Sequence, residues 1–212
     1  MTARSVRLLL ASRNEKKLRE LRRILLAEGV AGIEVVGLGD VPEYPEVPET
    51  GATFEENALI KARAGAEASG LPTVADDSGL AVDALNGMPG VLSARWSGGH
   101  GEDAANLELV LAQLADLPDE RRGAAFVAVA ALALPGDGAD SEYLVRGEWA
   151  GRIARAPRGE NGFGYDPVFL PAGESRTSAE LTPEEKDAAS HRGRALRALL
   201  PRLRSLTTDQ GE

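Results

Sequence analysis

No cysteine occurs in the chain, which excludes disulfides, thiolate nucleophiles, iron–sulfur clusters and thiolate zinc sites together. Two histidines are too few for a multi-histidine metal cage, so any metal is expected to be a hard cation held by carboxylates. Aromatic residues are scarce, with two Trp, three Tyr and four Phe, which leaves little for the stacking platforms of a nucleic-acid-binding surface. Basic residues are in the minority: 24 Lys and Arg against 33 Asp and Glu give a formal charge of −9. A field of that sign repels nucleic acid and anionic membranes. Long hydrophobic runs are missing as well. The longest, Ala124 to Leu134, has eleven residues, short of the roughly 18–20 that span a bilayer. Leu8–Leu9–Leu10–Ala11, behind Arg4 and Arg7, is too short for a signal-peptide core. The expectation is a soluble, cytoplasmic protein without a nucleic-acid or membrane partner.

What is present is ordinary globular stock, 43% hydrophobic and 27% charged in 212 residues, enough for one core of domain size. Val6–Ala11 reads as a buried strand. Leu18, Leu21 and Leu25 then take helical spacing over Glu15–Glu28, with Asn14 as N-cap and Gly29 as stop. Ile33–Val36 reads as a second strand, and Asp40–Glu56, with six acids and three prolines, as an irregular loop. Thr53 with Glu56 forms a capping box that opens a second helix ending near Gly70. Pro72–Ala75 reads as a strand running into Asp76–Asp77–Ser78–Gly79, with Leu80–Ala84 as its possible continuation, and Glu102–Leu114 as a third helix. Ala124–Leu134 and Tyr143–Ile153 read as paired long strands, although periodicity alone leaves the first open to a buried helix. A last helix is expected from Pro183 to Leu203. Alternation of strands and helices points to an α/β fold, as one domain over 1–204 followed by a polar tail at 205–212.

Five constellations carry possible chemistry. Ser12–Arg13–Asn14–Glu15–Lys16–Lys17 lies at a strand-to-helix junction, where unpaired N–H groups and the helix dipole suit a phosphate. The plainer alternative is a capped surface helix. Glu49–Thr50–Gly51 precedes Asn57 and Lys61, which share a helix face at i,i+4; a solvated lysine and one more loop acid are the plain reading. Asp76 and Asp77 point to opposite faces if extended, and one of them could hold Mg2+ or activate a water; the tetrapeptide also suits a simple turn. Gly162–Phe163–Gly164–Tyr165–Asp166–Pro167 offers glycines for close backbone approach and Phe163 as a flat face for a base, with Asp166 able to accept from a ring N–H. Lys186 and Ser190 share a face on the expected last helix, with His191 and Arg192 beside them.

In this order along the chain the segments resemble the Ham1/RdgB-type inosine triphosphate pyrophosphatase family. The matching stretches are Leu10–Asn14 with Lys17; Glu49–Thr50–Gly51; Phe54–Ala58 with Lys61–Ala62; and Ala75–Leu80. They continue with Pro89–Gly90, Ser93–Arg95, Gly162–Pro167, Glu180–Leu181, Lys186 and Ser190–Gly193. The resemblance covers about residues 6–200. It implies an elongated, two-lobed ITPase-like (Maf/Ham1) fold, a mixed twisted sheet flanked by helices with the active site in a cleft between the lobes. It also implies an Mg2+-dependent, cytosolic homodimer that cleaves dITP/ITP and XTP/dXTP to nucleoside monophosphate and pyrophosphate. By position, Asp77 matches the proton acceptor for the attacking water and lies at the metal with Glu49 and Asp76, and Lys61 stands beside the triphosphate. Ser12, Arg13, Asn14, Glu15, Lys16 and Lys17 match the triphosphate junction. Ser78, Phe163, Gly164, Tyr165, Asp166, Lys186, His191 and Arg192 match substrate contacts, mostly around the base. Arg13 departs from the glycine many relatives carry there, which bears on the phosphate geometry.

Two other readings compete. A Maf-like nucleotide pyrophosphatase shares the fold and chemistry but acts on other bases, and the Gly-Phe-Gly-Tyr-Asp and Ser-His-Arg motifs argue against it. A nucleotide sensor without catalysis has no need for Asp77, Glu49 and Lys61 together.

Overall fold

The computed structural model describes residues 5–136 and 141–208. Among them five α-helices and six strands follow in the order β1 (Val6–Leu10), α1 (Glu15–Ala27), β2 (Ile33–Val36), α2 (Phe54–Ser69), β3 (Thr73–Val82) and α3 (Asp103–Gln113). Then come β4 (Gly123–Ala133), β5 (Glu142–Ile153), β6 (Phe169–Pro171), α4 (Pro183–Ala189) and α5 (His191–Thr208). The strands form one sheet in the order β2-β1-β3-β4-β5-β6. β1 runs parallel to β2, pairing Val6 with Ile33, and parallel to β3, pairing Leu9 with Thr73. β5 and β6 are antiparallel, so the sheet is mixed. The alanine-rich 124–134 run is a strand, and the α/β expectation holds.

The described residues divide into two compact units. One comprises those of Met1–Asp77, Val129–Arg146 and Ala195–Glu212; the other is Ser78–Ala128 with Gly147–Arg194. In the first, Leu8, Leu9 and Leu10 of β1 are buried with Leu18, Leu21, Ile24 and Leu25 of α1 and Leu196, Leu199 and Leu203 of α5. α2 buries a stripe of Ala58, Ala62 and Ala66. Its Gly65 lets the helix come close to β3, since a Cβ there would lie 2.7 Å from Thr73 Cγ2. Small residues thus set how near α2 brings its polar positions to the strand.

In the second unit the core joins Leu107 and Val110 of α3, and Leu114 just after it, to Phe126, Trp149 and Phe169. The Phe126 and Phe169 rings lie 4.5 Å apart, a spacing that adds quadrupolar attraction to area burial. Arg122, almost fully buried, is held by three carbonyls: Nε on Ile153 O at 2.9 Å, one terminal nitrogen on Leu114 O at 2.6 Å and the other on Ala154 O at 2.9 Å. Its positive charge thus meets the carbonyl just past the C-terminus of α3, the negative end of the dipole.

Asp76–Asp77–Ser78–Gly79 lies extended in the middle of β3, which runs on through Leu80 to Val82, and does not form the turn it also suits. Two boundaries differ from expectation. The single last helix is two, broken at Ser190, whose extended backbone (φ −66°, ψ 158°) ends α4 while its Oγ accepts from Gly193 N at 3.1 Å in the first turn of α5. Lys186 and Ser190 therefore do not share a helix face. α5 runs to Thr208, into the expected polar tail, of which 209–212 lie outside the described residues.

Candidate active site

The first cluster belongs entirely to the first unit. Ser12 Oγ accepts from Asn14 N at 3.2 Å, and Asn14 Oδ1 accepts from Lys16 N at 2.9 Å. These two side chains build the turn and cap α1, with the helix's first N–H groups at its tip. Arg13, Glu15 and Lys16 are exposed, Arg13 meeting Glu46 at 3.3 Å. Lys17 turns inward and binds both oxygens of Asp76, at 2.8 and 2.7 Å. Asp76, expected at the metal, directs its carboxylate to that lysine.

Asp77 points the other way. Lys61 Nζ lies 3.3 Å from Asp77 Oδ1 and 2.7 Å from Glu49 Oε1, so one ammonium bridges two carboxylates. Asn57 Nδ2 donates to Asp77 Oδ2 at 3.2 Å. Burial is the largest influence on Asp77 and raises its pKa against the pull of Lys61, with Glu49 and Asp76 raising it further. Burial also works against the charge of Lys61, but Asp77, Asp76 and Glu49 outweigh it and hold its pKa above the ordinary lysine value.

With Asp76 turned to Lys17, two carboxylates, Glu49 and Asp77, remain together on Lys61, and their oxygens are donors of the kind a hard cation takes. Among the described residues no group of three or more acids or histidines could by itself hold a metal ion. Mg2+ is typically bound by one or two carboxylates plus waters and substrate phosphates. Glu49 and Asp77, already gathered on one positive charge, are the pair that fits.

The second cluster belongs to the second unit. Asp166 is buried and its carboxylate takes three hydrogen bonds: Oδ1 accepts from Ser178 Oγ at 2.7 Å, and Oδ2 accepts from Phe163 N at 2.8 Å and from Lys186 Nζ. A Cβ on Gly162 would collide with that Oδ2, so glycine is required here. Asp166, expected to accept from a ring N–H, here also holds Lys186 and the loop. Lys186 Nζ and the Arg192 guanidinium lie 5.4 and 5.6 Å from the centre of the Phe163 ring, cation–π distances that fix the ring's surroundings. Arg192 also reaches Ser78 Oγ at 3.4 Å. Gly164 N donates to Asp103 Oδ2 at 2.8 Å.

Two expected contacts have their side chains in the interior. Tyr165 donates its hydroxyl to Ser93 O at 2.9 Å, and burial raises its pKa well above the ordinary phenol value. The His191 ring is buried and stacks on Phe126, with centroids 4.8 Å apart. Four residues without a role assigned from sequence join the clusters: Asn57 and Ser93, which lay in the motifs already named, and Ser178 and Asp103, which did not. The i,i+4 relation of Asn57 to Lys61 and the Thr177–Glu180 capping box around Ser178 were the signals available for Asn57 and Ser178.

A family model described as the Ham1 family matches residues 8–202. The chain belongs to the Ham1 family. A curated relative from Nocardia farcinica named dITP/XTP pyrophosphatase is 70% identical over 200 residues, covering 94% of this chain and 96% of the relative. The crystal structure of a nucleoside-triphosphatase, dITP/XTP pyrophosphatase, from Mycobacterium abscessus is 68% identical, with TM-score 0.75, covering 93% of this chain and 100% of that one. A HAM1 protein structure from Coxiella burnetii is 43% identical, with TM-score 0.82, covering 96% and 99%. The α/β Ham1 fold with a mixed sheet flanked by helices therefore holds for this chain, and so does the resemblance on which it was expected. Among the described residues, no helix of this Ham1-family chain is long and apolar enough to cross a membrane.

Proposed function

We propose that the chain hydrolyses non-canonical purine nucleoside triphosphates, dITP/ITP and dXTP/XTP, to the nucleoside monophosphate and pyrophosphate, cleansing the nucleotide pool. The observation that carries this reading is the gathering of Glu49 and Asp77 on Lys61 in a chain whose curated relatives at high identity are named dITP/XTP pyrophosphatase. Phosphoryl chemistry needs positioning and charge neutralisation more than covalent catalysis.

Asp77 is the group that takes the proton of the attacking water. Its raised pKa brings it nearer the operating range of a general base. Lys61 offsets the negative charge of the two carboxylates it joins. Ser12, Asn14 and the first turn of α1 receive the phosphates, with Arg13, Lys16 and Lys17 supplying positive charge at that end. Glu49 and Asp77 would hold Mg2+, which when bound neutralises charge on the phosphate oxygens.

The base is assigned to Phe163, Lys186 and Arg192. Phe163 offers a stacking face, and the Lys186 ammonium, held by Asp166, keeps further N–H groups for a 6-oxo oxygen. Adenine presents a donor at that position, and leaving polar groups unpaired costs about 1–3 kcal/mol, roughly tenfold to a hundredfold in preference. The same reading makes the enzyme a cytoplasmic homodimer without nucleic-acid or membrane partners, in keeping with its charge of −9.

The test is pyrophosphate release from dITP, XTP, dGTP and dATP, with Mg2+ and with chelator. Mg2+-dependent release from dITP and XTP alone is expected. Tight nucleotide binding with no release would make the chain a sensor instead, and release from other bases a Maf-like enzyme.

A further inference from the structure

Helix α2 makes two links from one face, one turn apart. Lys61 joins Glu49 to Asp77. Asn57 joins the backbone two residues beyond Glu49 to the same Asp77: its Oδ1 accepts from Gly51 N at 2.8 Å, and its Nδ2 donates to Asp77 Oδ2 at 3.2 Å. Asn57 is fully buried. The direction of its amide is settled by chemistry, because a backbone N–H can only donate. The oxygen must therefore face Gly51 and the NH2 group must face Asp77.

The surroundings leave this link no slack. A Cβ on Gly51 would lie 2.7 Å from Asn57 Oδ1 and 3.0 Å from Asn57 N. The next two N–H groups of the loop, on Ala52 and Thr53, donate to Glu56 Oε2 at 2.6 and 3.3 Å. Three successive backbone donors after Glu49 are thus tied to the first turn of α2, and only Asn57 carries the tie onward to Asp77.

We propose that Asn57 is a positioning residue for hydrolysis: it sets the plane of the Asp77 carboxylate against the Glu49 loop so that Oδ1 faces Lys61. This rests on the proposed function, in which Asp77 activates the water. Without the amide, the carboxylate turns about a single long contact to Lys61, and small misplacements of a reacting group cost about 10²-fold in rate.

The test compares Asn57→Leu, of similar shape but without polar atoms, and Asn57→Ser, too short to reach both partners. The readouts are kcat and KM for dITP with Mg2+, the Kd of α,β-methylene-dITP by calorimetry, and the thermal midpoint. Expected is a fall in kcat of roughly 30- to 100-fold, with KM and analogue Kd kept within about threefold. The Ser variant decides alone if the Leu variant does not fold. A folded variant with wild-type kcat overturns the proposal, as does an affinity loss equal to the kcat loss, which marks a merely structural asparagine. Wild-type protein run alongside separates the two claims: turnover by wild type and variant alike removes only the role of Asn57, whereas no wild-type turnover removes the functional reading and this role with it.

Discussion

Lys17 grips both oxygens of Asp76, at 2.8 and 2.7 Å, with side-chain exposures of only 17% and 4%. Removing one partner of such a pair leaves the other's charge stranded. Lys17→Met is expected to destabilise the fold by roughly 3 kcal/mol, the low end for a buried pair. Adding Asp76→Asn should recover most of that loss. Urea denaturation of the single and double variants checks it; a double variant no more stable than the single one contradicts the pairing.

Asp77→Asn should lower kcat for dITP by roughly 10²- to 10⁴-fold, the usual worth of a general base, with little change in nucleotide affinity. Its stability has a defined pH dependence. The raised pKa of Asp77 means the folded protein keeps a proton that the unfolded chain releases between the ordinary carboxylate value and the raised one. Parent stability therefore falls as pH rises through that window. In chelator at neutral pH the Asn variant should melt no lower than the parent, and the two should converge in acid below the ordinary carboxylate value.

The Asp166–Lys186 pair makes a prediction about affinity. Lys186→Met removes the donor assigned to the 6-oxo group, so KM for dITP should rise roughly tenfold to a hundredfold while kcat changes less. Steady-state kinetics with dITP and dATP side by side measure it. An unchanged KM would take Lys186 out of base recognition.

Arg122 predicts stability without chemistry. Arg122→Met strands the carbonyls of Leu114, Ile153 and Ala154. At about 1–3 kcal/mol for each buried group left unpaired, the loss should be several kcal/mol in urea, with activity per folded molecule retained.

Much of this was legible in the sequence because the signals were local. The Thr53–Glu56 capping box and the Gly70 stop (φ +66°) frame α2 as expected, and Asn14 caps α1. What escaped was decided by distant partners. A Pro183–Leu203 helix looks continuous because nothing in the local pattern shows Ser190 capping the next segment. The motif offered Asp166 as an acceptor, and nothing local showed that Ser178, Phe163 N and Lys186 also bind its oxygens. Tyr165 and His191 sit in a motif-rich stretch, but their rings fill the core, a choice made by Ser93 and Phe126 elsewhere in the chain.

Helix α4 has seven residues and buries none of them. An isolated helix needs about 12–15 residues to persist in water, so α4 owes its order to its Thr182–Glu185 cap and to the hold of Asp166 on Lys186. It is therefore expected among the first segments to open, with amide exchange far faster than in α5. A ligand that engages Lys186 would slow that exchange, and part of its binding free energy would go into quieting this short helix.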